Sequence, residues 1–205
     1  LGAAGIEPDG DRLELWPSQL DEQRLEQWLR EAGADGTKPL IGLHIGASKR
    51  WRTKRWDVER WAALCDHLAQ RGSQPVLTGT AADRQLGARV RALSRARPIE
   101  ALGTLRLMEL ACLIRRCRVY VTTDSAPLHL AAAMGTPTVA LFGPTDPARH
   151  APTTSGPSVR VLKKDLACSP CYSTWCRTIT HACMKQITVD EVLQAIVECG
   201  MGNVD

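Results

Sequence analysis

Apolar residues recur along the chain in blocks with two different spacings. Buried strands are predicted for the short continuous apolar runs at residues 40–45, 75–78, 99–102, 119–122 and 138–142. Helices are predicted where apolar residues fall at helical spacing, near residues 18–33, 58–72, 86–93, 107–114, 128–134 and 188–198. Because strands and helices alternate, we predict an α/β fold with a Rossmann-like, doubly wound parallel sheet.

A few polar and small residues indicate where elements end. Ser18 is placed to cap the first helix, and Thr188 with Glu191 forms a capping box for the last. Gly and Pro concentrate in residues 1–17, predicted to be a linker, and in residues 143–157, predicted to be a surface loop. A doubly wound sheet binds ligands beyond the carboxyl ends of its strands, so the loops after the strands are the first places to look for chemistry.

The composition suits one globular domain, with 205 residues of which 44% are hydrophobic and 23% charged. No apolar run approaches the roughly 20 residues that span a bilayer, and no basic-then-apolar leader is present, so neither a transmembrane helix nor a secretory signal is predicted. A net charge of +4 is too small for a general nucleic-acid binder. No G-x-G-x-x-G, P-loop or G-x-S-x-G motif is found, which leaves a dinucleotide oxidoreductase, a P-loop NTPase and an α/β-hydrolase unsupported.

The positive charge is concentrated in the loop after the first predicted strand. Five of the seven residues from Lys49 to Arg55 are cationic, and without them the formal charge falls from +4 to −1. Cationic side chains together with backbone N–H groups at a strand-to-helix loop favour a diphosphate. The alternative is a basic loop that is merely solvated. Trp51 and Trp56 flank the cations; both are expected to pack against the following helix, and the alternative is that they line the donor cleft.

Two further loops place polar residues just past a strand. Ser125 and the free amides at the helix start near Pro127 can hold phosphate, whereas Asp124 is better suited to accept hydrogen bonds from sugar hydroxyls. His129 lies one turn further and is expected to face the same crevice. Asp83 follows the second strand and can accept both hydroxyls of a ribose. The structural alternatives are a helix cap, a packed histidine and an acidic residue in a first helical turn.

A specific motif begins at Asp124, with the pattern Asp-Ser-x-Pro-x-His-Leu-x-Ala, and Phe-Gly-Pro-Thr follows from Phe142. Other matching segments lie at residues 44–48, 54–56, 77–79 and 102–104. In this order over residues 40–187, the chain resembles the C-terminal domain of family 9 glycosyltransferases, the bacterial heptosyltransferases of lipopolysaccharide core synthesis. The cysteine segment from Cys168, with Cys183-Met184, is most similar to the second heptosyltransferase type.

The resemblance implies a B-type glycosyltransferase fold, in which two Rossmann-like domains face each other across a cleft. This chain would be its C-terminal half, with residues 1–38 as interdomain linker and helix. Residues 39–199 would bind the nucleotide-sugar donor, including a Cys-rich loop at 166–184. The N-terminal domain, which binds the acceptor and supplies an Asp as catalytic base, is expected to be absent. No catalytic residue is therefore assigned here, and the chain alone is expected to be inactive.

The resemblance also implies the ligands. The donor is ADP-heptose, the transfer is inverting, and no metal or other cofactor is required. The lipopolysaccharide core acceptor binds through the other domain, and no nucleic acid is involved. The protein is expected in the cytoplasm, at the cytoplasmic face of the inner membrane. Two alternatives stay open: a glycosyltransferase half that uses another nucleotide-sugar, and a non-catalytic module that binds nucleotides or polyanions through residues 49–55.

Donor-binding roles follow from the resemblance by position. At the diphosphate and sugar, the implied residues are Lys54, Arg55, Ser125, Ala126 (through its amide), Asp124 and His129. Elsewhere in the donor site, the implied residues are Asp83 at the ribose, Leu105 near the adenine base, and Ser48.

Four of the eight cysteines lie within 16 residues, at Cys168, Cys171, Cys176 and Cys183. Four sulfurs on one irregular loop can hold zinc tetrahedrally, although the spacing is not that of a zinc ribbon. Structural zinc, reduced thiols and disulfides all stay open. Three others fall in helical or strand-like patterns and are predicted to be buried core thiols: Cys65, Cys112 and Cys117.

Overall fold

The structure, a computed structural model, describes residue 5, residues 13–152 and residues 159–200. One six-stranded sheet lies at its centre, and every pair of neighbouring strands is parallel. Its strands are β1 (Leu40–His44), β2 (Gln74–Gly79), β3 (Ile99–Leu102), β4 (Cys117–Thr123), β5 (Thr138–Phe142) and β6 (Val159–Lys163). They are arranged in the order β3-β2-β1-β4-β5-β6.

Helices connect the strands and cover the sheet. They are α1 (Gln19–Glu31), α2 (Val58–Gln70), α3 (Arg84–Leu93), α4 (Leu107–Arg116), α5 (Ala126–Ala133), α6 (Pro147–His150), α7 (Ala182–Lys185) and α8 (Val189–Cys199). Two short 3-10 helices are formed by Lys49–Lys54 and Ala81–Asp83. The predicted caps are present, because Ser18 and Asp21 form a capping box on α1, and Thr188 and Glu191 form one on α8.

The sheet separates two layers of helices, each with its own apolar core. Residues of α2, α3 and α8 form one core with alternate side chains of β1, such as Ile41 and Leu43. Residues of α1, α4 and α5 form the other core around Tyr120. Gly42 lies between Ile41 and Leu43 on the Tyr120 side, where a Cβ atom would come within 2.3 Å of the Tyr120 ring. A glycine is therefore needed for the close approach of β1 and β4.

The strand order confirms the predicted α/β class and places the ligand crevice. From β1 the chain builds the sheet outward through β2 to β3, then returns to β4 and builds outward in the other direction. The connections diverge between β1 and β4, and in such sheets a crevice opens beyond the carboxyl ends of the strands at this point. The basic loop follows β1, and the Asp124 loop follows β4, so both predicted binding loops meet there.

Helix α1 is packed into the domain, although the sequence assigns it to a linker segment at residues 1–38. Leu25 and Leu29 are buried in the same core as α4. Ion pairs also join the two helices, from Arg115 to Glu22 and from Arg116 to Glu26. Of the predicted linker at residues 1–17, residues 13–17 form neither helix nor strand, and residues 1–4 and 6–12 lie outside the described part.

Strand β6 and helix α6 were not predicted. α6 lies inside the segment predicted to be a surface loop, of which residues 153–157 fall outside the described residues. The three predicted core thiols are confirmed as buried, and burial raises the pKa of Cys65 and of Cys117 to about 12. Among the described residues, no helix is long and apolar enough to cross a membrane.

Candidate functional site

A cleft of about 780 Å³ opens at the crevice between β1 and β4. Its walls are the loops that follow β1, β2, β3 and β4, together with the first residues of α4 and α5. Eight of the nine predicted donor-binding residues line it: Ser48, Lys54, Arg55, Asp83, Leu105, Asp124, Ser125 and Ala126. The fold therefore brings together side chains that are up to 78 positions apart in the sequence.

His129 is the exception, because it is exposed and is not among the residues that line the cleft. α5 begins at Ala126, next to the cleft, and each residue advances the helix by about 1.5 Å. His129 lies one turn into α5, roughly 4–5 Å further along the helix axis than Ala126. The expectation that it faces the same crevice as Asp124 stays a prediction.

Lys54 and Asp124 form an ion pair across the mouth of the crevice. Lys54 Nζ lies 2.6 Å from Asp124 Oδ2, and the hydroxyl of Thr145 donates to the same oxygen at 2.7 Å. Asp124 and Thr145 are both buried, with 7% and 2% of their surface exposed. No described residue is seen to bond Asp124 Oδ1, so one carboxylate oxygen is held while the other remains for a ligand.

The basic segment, residues 49–55, contains Trp51 and is followed by Trp56, and these two tryptophans make different contacts. Trp51 lines the cleft, with Lys54 Nζ 4.9 Å from the centre of its ring, a cation–π contact. Its position matches the alternative in which it lines the donor cleft. Trp56 does pack there, edge-on against Trp61 of α2 at 4.9 Å, and its indole N–H donates to the carbonyl of Ile187.

The cations of the basic segment are divided between the cleft and the solvent. Lys49, Lys54 and Arg55 line the cleft, whereas Arg50 and Arg52 are exposed outside it. The segment folds as a 3-10 helix with a kink at Trp51. Three cations on one wall of a cleft can attract an anion, and the two outside can add longer-range positive charge.

The start of α5 faces the cleft without a side-chain cap. Ser125 occupies the N-cap position, but its hydroxyl donates to the carbonyl of Thr123 instead of to the helix. Pro127 has no N–H, and the amide of Leu128 donates to the carbonyl of Ser125. The amide of Ala126 is left at the cleft, where the positive end of the helix dipole favours an anion.

Asp83 is buried beneath the cleft wall, with both of its oxygens bonded. Its Oδ2 accepts hydrogen bonds from the backbone and hydroxyl of Thr80, and its Oδ1 lies 3.2 Å from Arg55 Nη2. A Cβ atom at Gly46 would come within 2.6 Å of Oδ2. Asp83 thus joins the loops after β1 and β2, and only 3% of its surface is exposed to a ligand.

His44, at the end of β1, is a cleft residue that sequence reasoning did not single out. Its Nδ1 lies 3.3 Å from the hydroxyl of Thr78, which is in turn 2.6 Å from the Tyr120 hydroxyl. Burial lowers the pKa of His44 to about 4, although the negative charge of Asp83 opposes the shift. The imidazole is therefore neutral at pH 7. Thr145 was also missed, although it lies in the Phe-Gly-Pro-Thr motif.

The four clustered cysteines line a second, smaller cavity of about 160 Å³. Burial raises the pKa of Cys183, and the nearby Cys171, Cys176 and Cys168 add to that rise. No disulfide joins the four. Within the described residues, no three His, Cys, Asp or Glu side chains are grouped so that they could hold a metal ion. The geometry gives no support to the zinc and disulfide alternatives.

A model of glycosyltransferase family 9 (heptosyltransferase) matches residues 12–180 of the chain. The chain belongs to glycosyltransferase family 9. All of the loops that form the cleft fall within the matched span. The family resemblance carried by the Asp124 motif and by the Phe142 motif is thereby confirmed.

Members of family 9 from several bacteria are similar to the chain over part of their length. The lipopolysaccharide heptosyltransferase 2 of Salmonella typhimurium is 34% identical over 142 residues, covering 65% of this chain and 39% of that protein. The solved structure of a family 9 glycosyltransferase from Veillonella parvula superposes with a TM-score of 0.78 at 26% identity, covering 92% of this chain and 53% of that one. The structure of the E. coli ADP-heptose lipopolysaccharide heptosyltransferase II superposes with a TM-score of 0.75 at 26% identity, covering 91% of this chain and 53% of that one. The chain spans about half the length, or less, of these relatives.

Proposed function

We propose that this chain is the donor-binding half of a heptosyltransferase, which moves heptose from ADP-heptose to the lipopolysaccharide inner core with inversion. Family membership supports heptosyl transfer, and the E. coli relative is named for ADP-heptose. The observation that carries the proposal is the pairing of Lys54 with Asp124 at the uncapped start of α5. A cation, a helix start and a half-free carboxylate at one point suit a diphosphate joined to a sugar.

Each part of the donor has a matching part of the cleft. Lys54, Lys49 and the amide of Ala126 would hold the diphosphate oxygens. Asp124 would accept a hydrogen bond from a sugar hydroxyl at Oδ1, because its Oδ2 is held by Lys54 and Thr145. Leu105, on the wall formed by the loop after β3, would pack against the adenine ring.

The role of Asp83 in the proposal is to hold the cleft wall rather than to grip the ribose. Its oxygens accept bonds from Thr80 and Arg55, so a ribose hydroxyl would have to displace one of them. The carboxylate fixes Arg55 at the cleft, and it closes the first turn after β2 as a capping residue. This matches the structural alternative for an acidic residue at a first helical turn.

The chemistry assigned to this half is stabilisation of the leaving group. When an acceptor hydroxyl attacks the anomeric carbon, the bond to the β-phosphate oxygen breaks and ADP gains negative charge. Fixed cations and amides stabilise such charge without reorganising during the reaction. Lys54 is held in place by Asp124 and Trp51 before the donor arrives. The base that removes the acceptor proton would come from the other half of the enzyme.

Replacing Lys54 with Ala tests the proposal. We expect ADP affinity, measured by calorimetry, to fall about 10- to 100-fold, because one charge-assisted contact is lost. Arg52→Ala is the matched control, since it removes the same charge from the same segment at an exposed position outside the cleft. An equal loss in both variants, or none in Lys54→Ala, would contradict the assignment.

The choice of nucleotide separates the proposal from its alternatives. ADP is expected to bind more tightly than UDP or GDP; a preference for UDP or GDP would favour a family 9 enzyme with another donor. A polyanion-binding module would instead bind single-stranded DNA with strong salt dependence and would not distinguish the three nucleotides. The proposed partners are the donor and, through the other half, the core acceptor at the cytoplasmic face of the inner membrane.

The four clustered cysteines are proposed to stay reduced and free of metal, in keeping with the absence of a metal-holding group among the described residues. Metal analysis of protein purified without added zinc should give well under one equivalent per chain, and a thiol assay of unfolded protein should count all eight cysteines. One tightly held zinc per chain, or a thiol count short by two or four, would overturn this.

A further inference from the structure

The Cys-rich loop, residues 166–184, contacts the basic segment, residues 49–55, from outside the cleft. The hydroxyl of Thr53 donates to the carbonyl of Ser173 at 2.8 Å. The Nε2 of His181 donates to the carbonyl of Thr53 at 2.6 Å. One residue of the basic segment is thus held at both its side chain and its backbone by a loop more than 100 positions away.

Thr53 precedes Lys54, and the two side chains make contacts in different places. Lys54 reaches Asp124 at the cleft, whereas Thr53 is buried against the Cys-rich loop with 9% of its surface exposed. Thr53 is the buried residue of its 3-10 helix, which is interrupted by a kink at Trp51. Short 3-10 segments have poor hydrogen-bond geometry of their own. The position of Lys54 therefore depends on what holds Thr53.

His181 is itself fixed in place by contacts within the Cys-rich loop. Its backbone lies in the left-handed region, with φ of 52°, and its N–H donates to the sulfur of Cys176 at 3.3 Å. It is the N-cap residue of α7, and Met184 of α7 is buried in the main core. A non-glycine residue in this conformation is held there by its surroundings. The imidazole is therefore a rigid support for the Thr53 carbonyl.

We propose that His181 and Ser173 are positioning residues for the donor site. They hold Thr53, and through it they set the place of Lys54 over Trp51 and beside Asp124. The Cys-rich loop then fixes the position of Lys54 at the proposed diphosphate site through Thr53, although none of the loop's residues lines the donor cleft. The inference concerning ADP rests on the proposed function; the mechanical coupling between the loop and residues 49–54 does not.

Four variants of the full chain separate positioning from general stability. His181→Ala removes the support of the Thr53 carbonyl. His181→Gln keeps an N–H donor of similar reach and should restore it. Ile179→Ala changes a side chain of the same loop that is 88% exposed, and it serves as the control. Thr53→Val, which removes the hydroxyl bonded to Ser173, carries the test if His181→Ala does not fold.

Two measurements are made on each variant: ADP affinity by calorimetry, and hydrogen exchange of the peptide covering residues 49–56 without nucleotide. His181→Ala and Thr53→Val should weaken ADP binding about five- to tenfold, the value of one hydrogen bond, and should speed exchange in that peptide. His181→Gln should stay within about threefold of the parent, and Ile179→Ala should match it. Melting temperatures should change little across the set.

The outcomes distinguish this inference from the proposed function. If His181→Ala leaves both the exchange of residues 49–56 and the ADP affinity at parental values, the positioning role is wrong. If Ile179→Ala has the same effects as His181→Ala, the loop acts only through general stability and the role is again wrong. If the parent protein binds no ADP, the proposed function fails, while the exchange measurement still decides whether His181 holds the segment.

Discussion

At the scale of single residues, Asp124 is held by side chains from two other loops. Lys54 reaches it from the loop after β1, and Thr145 reaches it from the loop after β5. The side chain of Asp124 is almost fully buried, so an unpaired charge here would be costly. The cation and the hydroxyl together make the buried carboxylate tolerable, and they fix which of its oxygens can meet a ligand.

Thr145→Val should loosen this arrangement with almost no change in side-chain volume. The variant leaves Asp124 Oδ2 with Lys54 alone, and we expect the free energy of unfolding in urea to fall by about 1.5–3 kcal/mol, the value of a hydrogen bond to a charged group. Thr104→Val, at an exposed position, controls for the loss of a hydroxyl. Equal stability of Thr145→Val and the parent would show that the bond contributes nothing.

His44 predicts a pH dependence of stability. Burial lowers the pKa of His44 from 6.5 to about 4. Between pH 4 and pH 6.5, His44 is therefore protonated in the unfolded chain and neutral in the folded protein. The free energy of unfolding should therefore fall as the pH drops below 6.5, with roughly 3 kcal/mol lost by pH 4. Urea titrations at several pH values should show a shallower acid slope in His44→Gln.

The exposed His67→Gln is the control for this experiment, because it also removes one imidazole. A parental slope in His44→Gln would mean that His44 does not bear the shift. Asp83 is the charged neighbour that opposes the effect, so removing its charge should steepen the acid slope further. A slope that becomes shallower in Asp83→Asn would contradict this sign.

The sequence could identify Lys54 and Asp124 because each stands in a loop whose composition has chemical meaning by itself: a run of cations, and polar residues between a strand and a proline. Thr145 and His181 could not be found this way. Their roles depend on distances to Asp124 and Thr53, which lie 21 and 128 positions away. Helical spacing alone likewise does not say how far His129 lies from the edge of the sheet, so its place at the crevice stays a prediction.

At the scale of elements, the predicted strands and helices follow from periodicity wherever burial is complete. All five residues of β5 are buried, and its bounds match the prediction. Strand β6 is an edge strand with the half-buried sequence Val-Arg-Val-Leu-Lys. Its charged residues break the continuous apolar run by which a buried strand is predicted. The 3-10 helix of the basic segment has no apolar period to reveal it, because its contacts are with distant loops.

Asp66 joins two elements at their ends, and its replacement tests how much one such contact stabilises the fold. Its Oδ1 accepts hydrogen bonds from the hydroxyl of Ser94 and from the amides of Arg95 and Ala96, which tie α2 to the turn after α3. Asp66→Ala should lower the free energy of unfolding by about 2 kcal/mol. Urea denaturation is the measurement.

Asp66→Asn separates charge from geometry at the same site. The amide oxygen can still accept from the two backbone N–H groups, so about half of the loss should be recovered. Gln70→Ala, an exposed change on the same helix, should leave stability within about 0.5 kcal/mol of the parent. If Gln70→Ala costs as much as Asp66→Ala, the effect belongs to α2 as a whole and not to the contact.

At the scale of the whole molecule, one property of the sheet assembles the site. All six strands are parallel, so every strand ends at the same edge, and the loops after β1 to β4 meet without any long excursion of the chain. The Cys-rich loop comes from the β6 side and supports the basic segment from outside. This supports the proposal that residues 39–199 bind the donor by themselves, although the relatives are about twice as long.

Heptosyl transfer needs a general base in addition to donor binding, and the carboxylates of the cleft are not placed to serve as one. Among the residues that the structure describes, two carboxylates line the cleft, Asp83 and Asp124. Asp83 is bonded at both oxygens, and Asp124 Oδ2 is held by Lys54 and Thr145. A general base needs a carboxylate that can reach the acceptor hydroxyl and take its proton. Asp83 has no oxygen left for this task, and the remaining oxygen of Asp124 is assigned to a hydroxyl of the donor sugar in the proposed function.

We therefore expect the 205-residue chain to bind ADP and to transfer almost no heptose. Calorimetry with ADP should give a defined affinity that Lys54→Ala weakens. An assay with ADP-heptose and a heptose-deficient core lipid should show turnover at the level of the no-enzyme control. Robust turnover would mean that a base lies within this half after all, and Asp124→Asn would then show whether it is Asp124. Loss of turnover with retained ADP binding in that variant would identify Asp124 as the base, whereas loss of both would leave it as a support for Lys54.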